Sequence, residues 1–178
     1  MNRQRLIIIS IISIALFIIL GINIKASDEG VLFDEIIMDH VHNKTTPLGT
    51  NIMKKITYFG SAYFFLPVGI VIFIYVLRQK DIQGIILLVL STIGSYGLNF
   101  ILKNIFARTR PLKYFLIEQG GYSFPSGHAM VSMTFYTTMA YLIIKKVDRD
   151  KKALVWIFNA LIIGLIGFSR IYLGVHWP

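Results

Sequence analysis

The chain has 178 residues, of which 55% are hydrophobic and only 15% are charged, with a mean hydropathy of +0.66. This composition excludes an ordinary soluble domain and intrinsic disorder. The sequence contains no cysteine, which excludes disulfides, thiolate zinc sites, iron–sulfur clusters and cysteine nucleophiles. In so apolar a chain, the net charge of +9 indicates basic cytoplasmic loops and an anionic substrate, and we expect no nucleic-acid partner.

Five charge-poor stretches are long enough to be membrane-spanning helices. They cover residues 6–24, 56–77, 82–102, 127–144 and 153–169. About 20 helical residues cross the hydrocarbon core of a bilayer, because each adds 1.5 Å of length. The first stretch could also be a signal peptide. It is longer than a usual signal core and Lys25-Ala26-Ser27 is a poor cleavage site, so we expect a membrane anchor.

The charges of the connecting segments predict the orientation in the membrane. Segments 78–81 and 145–152 are short and basic, which places them and the N-terminus in the cytoplasm. Residues 25–55, 103–126 and 170–178 then face outward. Of the nine outer Lys and Arg residues, five cluster near the ends of the third and fifth stretches, and the rule for loop charge does not explain them there: Lys103, Arg108, Arg110, Lys113 and Arg170.

Residues 31–41 have the pattern of an amphipathic helix. Apolar residues at seven of these positions are interrupted by Asp34, Glu35 and Asp39. At 3.6 residues per turn, this pattern predicts a helix lying in the outer membrane interface. We see no internal repeat and no second domain. Residues 1–178 are therefore expected to form one membrane-embedded domain, an all-α bundle of transmembrane helices.

Two cations stand where the third stretch ends. Lys103 and Arg110 are seven residues apart, or nearly two helical turns, so a continuing helix would put both on one side until Pro111 ends it. A basic helix end standing alone more often indicates side chains that reach toward lipid headgroups.

A short polar motif stands at the start of the fourth stretch. Ser126 is a good N-cap, and Gly127 lets the backbone approach a ligand. The free N–H groups of a helix start attract an anion. His128, which follows, can give or take a proton near neutral pH. The alternative interpretation is a capped helix with an interfacial histidine.

Arg170 and His176 stand at the end of the fifth stretch. An arginine beside a membrane span is costly unless it is paired or faces water, so it indicates function. His176 and Trp177 could instead belong to an aromatic belt. Function is favoured because all three motifs fall on one face of the membrane. Three fixed cations, a helix start and two histidines are the set needed to hold a phosphate and displace its ester.

In these motifs the sequence resembles the type 2 phosphatidic-acid phosphatase family of membrane lipid phosphatases. Residues 103–111 fit the family's first motif, and residues 125–128 read Pro-Ser-Gly-His, its second. Ser169-Arg170 and His176 fit the third motif up to its final Asp, which would stand two residues beyond Pro178. The resemblance covers about residues 50 to 178. It implies six membrane helices, of which five are expected in this sequence.

The resemblance also implies a role for each motif residue. His176 would be the nucleophile and form a phosphohistidine, and His128 would protonate the leaving alkoxide and later activate water. The residues that would bind the substrate phosphate are Lys103, Arg110, Ser126, Gly127 and Arg170. No metal or other cofactor is implied, and no carboxylate stands inside a motif to bind one. Because the Asp would hold the tautomer of His176, we expect the 178-residue chain to be weakly active or inactive, and a chain extended through the Asp and a sixth helix to be active.

The expected substrate is a lipid phosphate whose tail stays in the bilayer. Undecaprenyl diphosphate, phosphatidylglycerophosphate and phosphatidic acid are all candidates, because the motifs bind the phosphate that they share. We expect a plasma-membrane protein, bacterial from its Ile- and Lys-rich composition, with the site on the extracytoplasmic face. A lipid phosphotransferase and a non-catalytic protein that binds lipid phosphates stay open as alternatives. The sequence does not fix an oligomeric state.

Overall fold

The computed structural model describes residues 3–25 and 32–178. Its helices are α1 (Arg3–Lys25), α2 (Leu32–His42), α3 (Pro47–Tyr58), α4 (Ala62–Arg78), α5 (Ile82–Val89), α6 (Ser95–Phe106), α7 (Gly127–Ile144) and α8 (Lys152–Tyr172). A π-helical segment, Leu90–Gly94, joins α5 to α6, and short 3-10 turns cover Leu112–Tyr114 and Arg149–Lys151. No strand occurs in these ranges, which confirms the all-α prediction.

Four helical segments of the described chain are long and apolar enough to cross a membrane. They are Gln4–Ile24, Pro47–Arg78, Ile82–Phe106 and Arg149–Tyr172. The predicted span 127–144 forms α7 with the predicted bounds but is not one of these four. This helix packs against α5, α6 and α8, and Val131, Ser132 and Phe135 are fully buried. Much of α7 contacts protein and not lipid, and its Ser132 and Thr138 side chains are buried in these contacts.

The second predicted span is two helices and not one. Instead of starting at residue 56, it begins with α3 at Pro47, where the Thr46 hydroxyl caps the helix by accepting from the Gly49 N–H at 3.0 Å. The helix then breaks at residues 59–61. A side chain on Gly60 would put a Cβ 2.6 Å from Cγ2 of Ile166, so this glycine allows the break to lie tightly against α8.

The helix that carries Lys103 ends earlier than the sequence predicted. We expected it to continue to Pro111, but α6 ends at Phe106 because Ala107 adopts a left-handed conformation with φ of 49°. The Ala107 N–H donates to the carbonyl oxygen of Lys103 at 2.8 Å, a common way to end a helix. Arg110 therefore lies on a loop, which folds back over the ends of α7 and α8.

The two ends of the bundle differ in chemistry. At one end, Lys145 Nζ lies 3.0 Å from Asp81 Oδ2, which joins the two basic connectors 78–81 and 145–152. At the other end lie the C-terminus of α6, the N-terminus of α7 and the C-terminus of α8. The Thr134 hydroxyl fixes α7 against the π-helical segment by donating to the Ser91 carbonyl at 2.7 Å. All three predicted motifs are therefore at the end opposite the basic connectors.

The predicted amphipathic segment forms α2, from Leu32 onward, which confirms the helix; residue 31 lies outside the described residues. Phe33 and Ile36 are mostly exposed, whereas Asp34 and Met38 are buried against the protein. This helix thus directs part of its polar side inward and leaves apolar side chains on its outer side.

Candidate active site

His176 lies in the turn that follows α8, and its ring is held from two sides. The turn depends on Gly174, which has a φ of 73° and lies so close to the backbone that a Cβ would sit 1.8 Å from the Tyr114 carbonyl oxygen. His176 is only 5% exposed. Its Nδ1 bonds to the carbonyl oxygen of Ser123, and its Nε2 lies 3.2 Å from Arg110 Nη1.

These two partners define the protonation state of the His176 ring. A carbonyl oxygen can only accept a hydrogen bond, so Nδ1 carries the proton. A guanidinium can only donate, so Nε2 presents its lone pair. Burial lowers the pKa of His176 well below its ordinary value, and the positive charges of Arg110, Arg170 and Lys103 lower it further. The ring is therefore neutral, with a nucleophilic nitrogen directed toward fixed cations.

The Arg110 guanidinium is bound mainly by backbone carbonyl groups. Its Nε donates to Gly121 at 2.8 Å, and its Nη2 donates to Gly120 at 3.0 Å and to Tyr122 at 3.1 Å. Its Nη1 donates to the Val175 carbonyl as well as to the histidine. Burial lowers the pKa of Arg110 to about 10, which still leaves the group charged at neutral pH.

Lys103 and Arg170 complete a cluster of three cations. Lys103 Nζ donates to the Tyr122 carbonyl, which also accepts from Arg110. Arg170 is 2% exposed and donates from Nη1 to Thr57 Oγ1 at 2.8 Å and from Nη2 to Gln119 Oε1 at 2.9 Å. Its buried Nε finds no acceptor among the described residues. That N–H is a donor available to an anion.

One loop segment, residues 119–122, supplies acceptors to all three cations. The side chain of Gln119 accepts from Arg170, and the three following backbone carbonyls accept from Lys103 or Arg110. We call this the 119–122 segment. Its neutral oxygens are weaker acceptors for these cations than the charged oxygens of a phosphate would be.

The start of α7 lies beside this cluster. The Ser126 hydroxyl accepts from the Ala129 N–H at 3.3 Å, which confirms it as the N-cap. Asn99, one helical turn before Lys103, donates to the Pro125 carbonyl at 3.2 Å, and a Cβ on Gly127 would lie 3.1 Å from its Oδ1. Asn99 therefore ties the Lys103 helix to the start of α7.

His128 shares the electrostatic surroundings of His176. The side chain is partly buried in the first turn of α7, where the charges of Arg170, Arg110 and Lys103 act on it. The same three cations act on His176. The structure thus brings both predicted histidines and all three predicted cations into one cluster.

A cavity of about 260 Å³ adjoins this cluster, with Ser126, Arg170 and His176 in its wall. Within residues 3–25 and 32–178 there is no group of three or more His, Cys, Asp or Glu side chains placed to hold a metal ion. Guanidinium groups, an ammonium group, a helix start and the neutral imidazole of His176 together suit a phosphate group.

Several residues of this site were not predicted from the sequence. Asn99 carried a signal, because it is a polar residue within an apolar stretch and one turn from Lys103. Thr57 and Gln119 carried none, since each reaches Arg170 across more than 50 residues of sequence. The Ser123 carbonyl that orients His176 is a backbone group, which residue identity does not reveal.

Sequence comparison connects this geometry to a known family. The sequence model of the PAP2 superfamily matches residues 84–178, just over half of the chain and all three motifs. The chain belongs to the PAP2 superfamily. It is 34% identical over 137 residues to phosphatidylglycerophosphatase B of Bacillus subtilis, a match that covers 74% of this chain and 66% of that protein. It is 28% identical over 175 residues to undecaprenyl-diphosphatase of Sulfolobus acidocaldarius, covering 94% and 80%.

Two solved PAP2-related structures share the fold. The crystal structure of the transmembrane PAP2-type phosphatidylglycerolphosphate phosphatase from Bacillus subtilis has a TM-score of 0.80 at 28% identity, over 92% of this chain and 84% of that one. The crystal structure of Aquifex aeolicus LpxE has a TM-score of 0.65 at 25% identity, over 84% and 86%. These matches confirm the predicted family, the transmembrane helix bundle and the location in a membrane.

Proposed function

We propose that this PAP2 protein is a lipid phosphatase that hydrolyses a phosphate ester or diphosphate of a membrane lipid through a phosphohistidine at His176. The observation that carries the proposal is the state of that ring. It is buried and neutral, and its Nε2 lone pair is directed at a cluster of three cations. A neutral imidazole is a nucleophile, and the cations neutralise the oxygens of the phosphorus centre that it attacks.

Substrate binding replaces contacts that the protein makes with itself. The phosphate oxygens accept from Lys103, Arg110 and Arg170 in place of the 119–122 segment. This exchange is favourable because hydrogen bonds between ionised partners are about twice as strong as neutral ones. The unpaired Nε of Arg170, the Ser126 hydroxyl and the backbone N–H of Gly127 are further donors at the start of α7.

The chemistry then proceeds in two displacements. In the first, Nε2 of His176 forms a bond to phosphorus, the bond from phosphorus to the lipid oxygen breaks, and His128, which enters this step as the imidazolium once the phosphate dianion balances the three cations, gives that oxygen a proton and becomes neutral. In the second, His128 takes a proton from water, the water oxygen attacks phosphorus, and the P–N bond breaks. Inorganic phosphate leaves, and both histidines return to their starting states.

The reaction needs no divalent metal in this proposal. Elsewhere such an ion neutralises charge on the transferring group, and here three fixed side-chain cations do so. They also repel a metal ion from the same place. Metal-independent hydrolysis is therefore the form of the reaction that this set of groups supports.

We propose a lipid substrate because the cation cluster lies at the end of a bundle whose outer surface is apolar and exposed. The lipid tail remains in the bilayer while the phosphate enters the cluster. Undecaprenyl diphosphate, phosphatidylglycerophosphate and phosphatidic acid are the candidates, and the names of the relatives from Sulfolobus and Bacillus support the first two. The basic connectors at the opposite end of the bundle support a cytoplasmic N-terminus and an extracytoplasmic site.

The test is phosphate release from these three lipids in detergent micelles by the protein extended through the family's final Asp and sixth helix, the form that the sequence predicts to be active. We expect release that vanadate inhibits and EDTA leaves unchanged, and that His176→Ala abolishes. Quenching in alkali, in which phosphohistidine survives, is expected to trap labelled phosphate on the wild-type protein only. Turnover retained by His176→Ala, or lost on chelation, would contradict the proposal. A phosphotransferase would pass phosphate to an added acceptor, and a binding protein would keep lipid affinity without release.

A further inference from the structure

A buried ion pair connects helix α2 to the loop that carries Arg110. Arg108 Nη2 donates to Asp34 Oδ2, and the two side chains are only 4% and 8% exposed. A second pair joins the same two elements. It links Lys113 and Asp39 at 3.3 Å, but with exposures of 74% and 53%. Exposed ion pairs contribute little to the stability of the fold. Removing one partner of a buried pair is strongly destabilising, because the other charge is left buried and unpaired.

The backbone that Arg108 anchors leads directly to the nucleophile. The Arg108 carbonyl accepts from the Ser123 N–H at 2.8 Å, and the Thr109 carbonyl accepts from the Ser123 hydroxyl at 2.6 Å. The carbonyl of Ser123 then accepts from Nδ1 of His176. Four residues thus form a short chain of hydrogen bonds from the ion pair to the imidazole.

A second connection reaches His176 through Trp177, the residue that follows it in sequence. The Arg108 guanidinium carbon lies 5.3 Å from the centre of the Trp177 ring, a cation–π arrangement. Trp177 Nε1 also donates to the Thr109 carbonyl at 3.2 Å. Arg108 and Thr109 therefore contact both Ser123, whose carbonyl binds Nδ1 of His176, and Trp177.

We propose that Asp34 is a positioning residue for the reaction. By holding Arg108, it keeps in place the Ser123 carbonyl, which bonds to His176, and the Trp177 ring, which follows it in sequence, so that Nδ1 retains its proton and Nε2 remains directed at phosphorus. The proposal rests on the proposed role of His176 as nucleophile. Asp34 itself lies in the N-terminal part of the chain, outside the residues 84–178 that match the family.

This role differs from that of a purely structural clamp in what it predicts. Misplacing a nucleophile slows the chemical step and leaves substrate binding nearly unchanged, because the cations that hold phosphate are bound by the 119–122 segment and not by Asp34. A structural clamp would change thermal stability without changing the tautomer of one histidine. The two roles are therefore separable by kinetics and by NMR of the imidazole nitrogens.

The experiment compares Asp34→Asn with Asp39→Asn, which removes the exposed pair from the same helix. Phosphate release gives kcat and KM, and ¹⁵N NMR of histidine-labelled protein reports whether Nδ1 of His176 carries the proton. For Asp34→Asn we expect kcat to fall about 10- to 100-fold with little change in KM, as for a displaced reacting group. We also expect a weaker Nδ1–H signal at His176. Asp39→Asn should keep the wild-type kcat, KM and tautomer.

The double variant Asp34→Asn/Arg108→Gln keeps the test decisive if the single variant does not fold. It removes both charges together and so leaves no unpaired buried ion. It should show the same loss of kcat and the same tautomer change. A wild-type kcat with a wild-type tautomer in either folded variant would overturn the inference. The two failures are distinguishable. The NMR measurement tests the position of Asp34 without any turnover, whereas activity retained by His176→Ala would show that the proposed function is wrong.

Discussion

Arg110 Nη1 donates to Nε2 of His176 across 3.2 Å, so a cation covers the nitrogen that we propose as the nucleophile. An imidazole whose lone pair is engaged in this way cannot attack phosphorus. A phosphate that accepts from Arg110 releases the lone pair and at the same time brings phosphorus to it. Substrate binding and activation of the nucleophile are therefore coupled through one side chain.

This coupling predicts the effect of Arg110→Lys. Lysine keeps the positive charge but loses the planar fork that contacts the histidine and the backbone carbonyls together. We expect kcat to fall about 100-fold, the size seen when one preorganised donor to a transition state is removed. The measurement is lipid phosphate release. Lys113→Gln, which removes an exposed cation of the same loop, is the control and should stay near the wild-type rate.

Gln119 gives a second prediction, at the cation on the opposite side of the cluster. Its carboxamide oxygen accepts from Arg170 Nη2 at 2.9 Å, where a phosphate oxygen would accept in the complex. In Gln119→Glu a carboxylate takes that place and competes with phosphate for Arg170. We expect KM and the inhibition constant of vanadate to rise about tenfold, equivalent to roughly 1.4 kcal/mol. Glu118→Gln, at the exposed neighbouring residue, should leave both constants unchanged. Wild-type values of KM and of the vanadate inhibition constant in Gln119→Glu would contradict the proposed competition.

The sequence predicted the parts of the site that follow from local patterns. Ser126 caps α7 as expected, because an N-cap is decided within one helical turn. Helices also occur at all five predicted apolar stretches, although the second is divided between α3 and α4. The predicted end of α6 was wrong because nothing in the sequence requires Ala107 to adopt a left-handed conformation. Glycine at this position would have been the usual signal for the end of a helix.

The sequence did not predict contacts between distant segments. Asp34 was assigned to the polar side of an interfacial helix, and only the fold shows it buried against Arg108, 74 residues away. The orientation of His176 could not be predicted for a related reason. The family pattern supplies a carboxylate for this ring only from beyond Pro178, and in the structure the Ser123 carbonyl lies at Nδ1. A backbone acceptor leaves no mark in the sequence.

The neutral state of His176 predicts how stability depends on pH. Burial holds the pKa of this histidine well below 6.5 in the folded protein, whereas in the unfolded chain it is near 6.5. Between the two values the unfolded state binds a proton that the folded state does not, so the free energy of unfolding decreases as the pH falls below about 6.5. At higher pH the ring is neutral in both states and contributes no slope.

The measurement is thermal unfolding in detergent between about pH 8 and about pH 5. We expect acidification to lower the unfolding midpoint of the wild type more than that of His176→Asn, whose amide can still donate to the Ser123 carbonyl but does not titrate. The difference in unfolding midpoint between the two proteins at pH 8 gives the effect of the substitution itself on stability. Equal shifts on acidification would mean that His176 is not held neutral.

The proposed orientation in the membrane can be tested directly because the 178 residues contain no cysteine that would have to be removed. Glu118, beside the cation cluster, and Lys151, in the basic connector at the other end of the bundle, are both exposed. A single cysteine at either position is a unique target for a maleimide that cannot cross membranes. We expect Glu118→Cys to be labelled in intact cells and Lys151→Cys only after the membrane is opened, because basic connectors remain in the cytoplasm. The reverse pattern would place the site in the cytoplasm and would exclude any substrate confined to the outer leaflet.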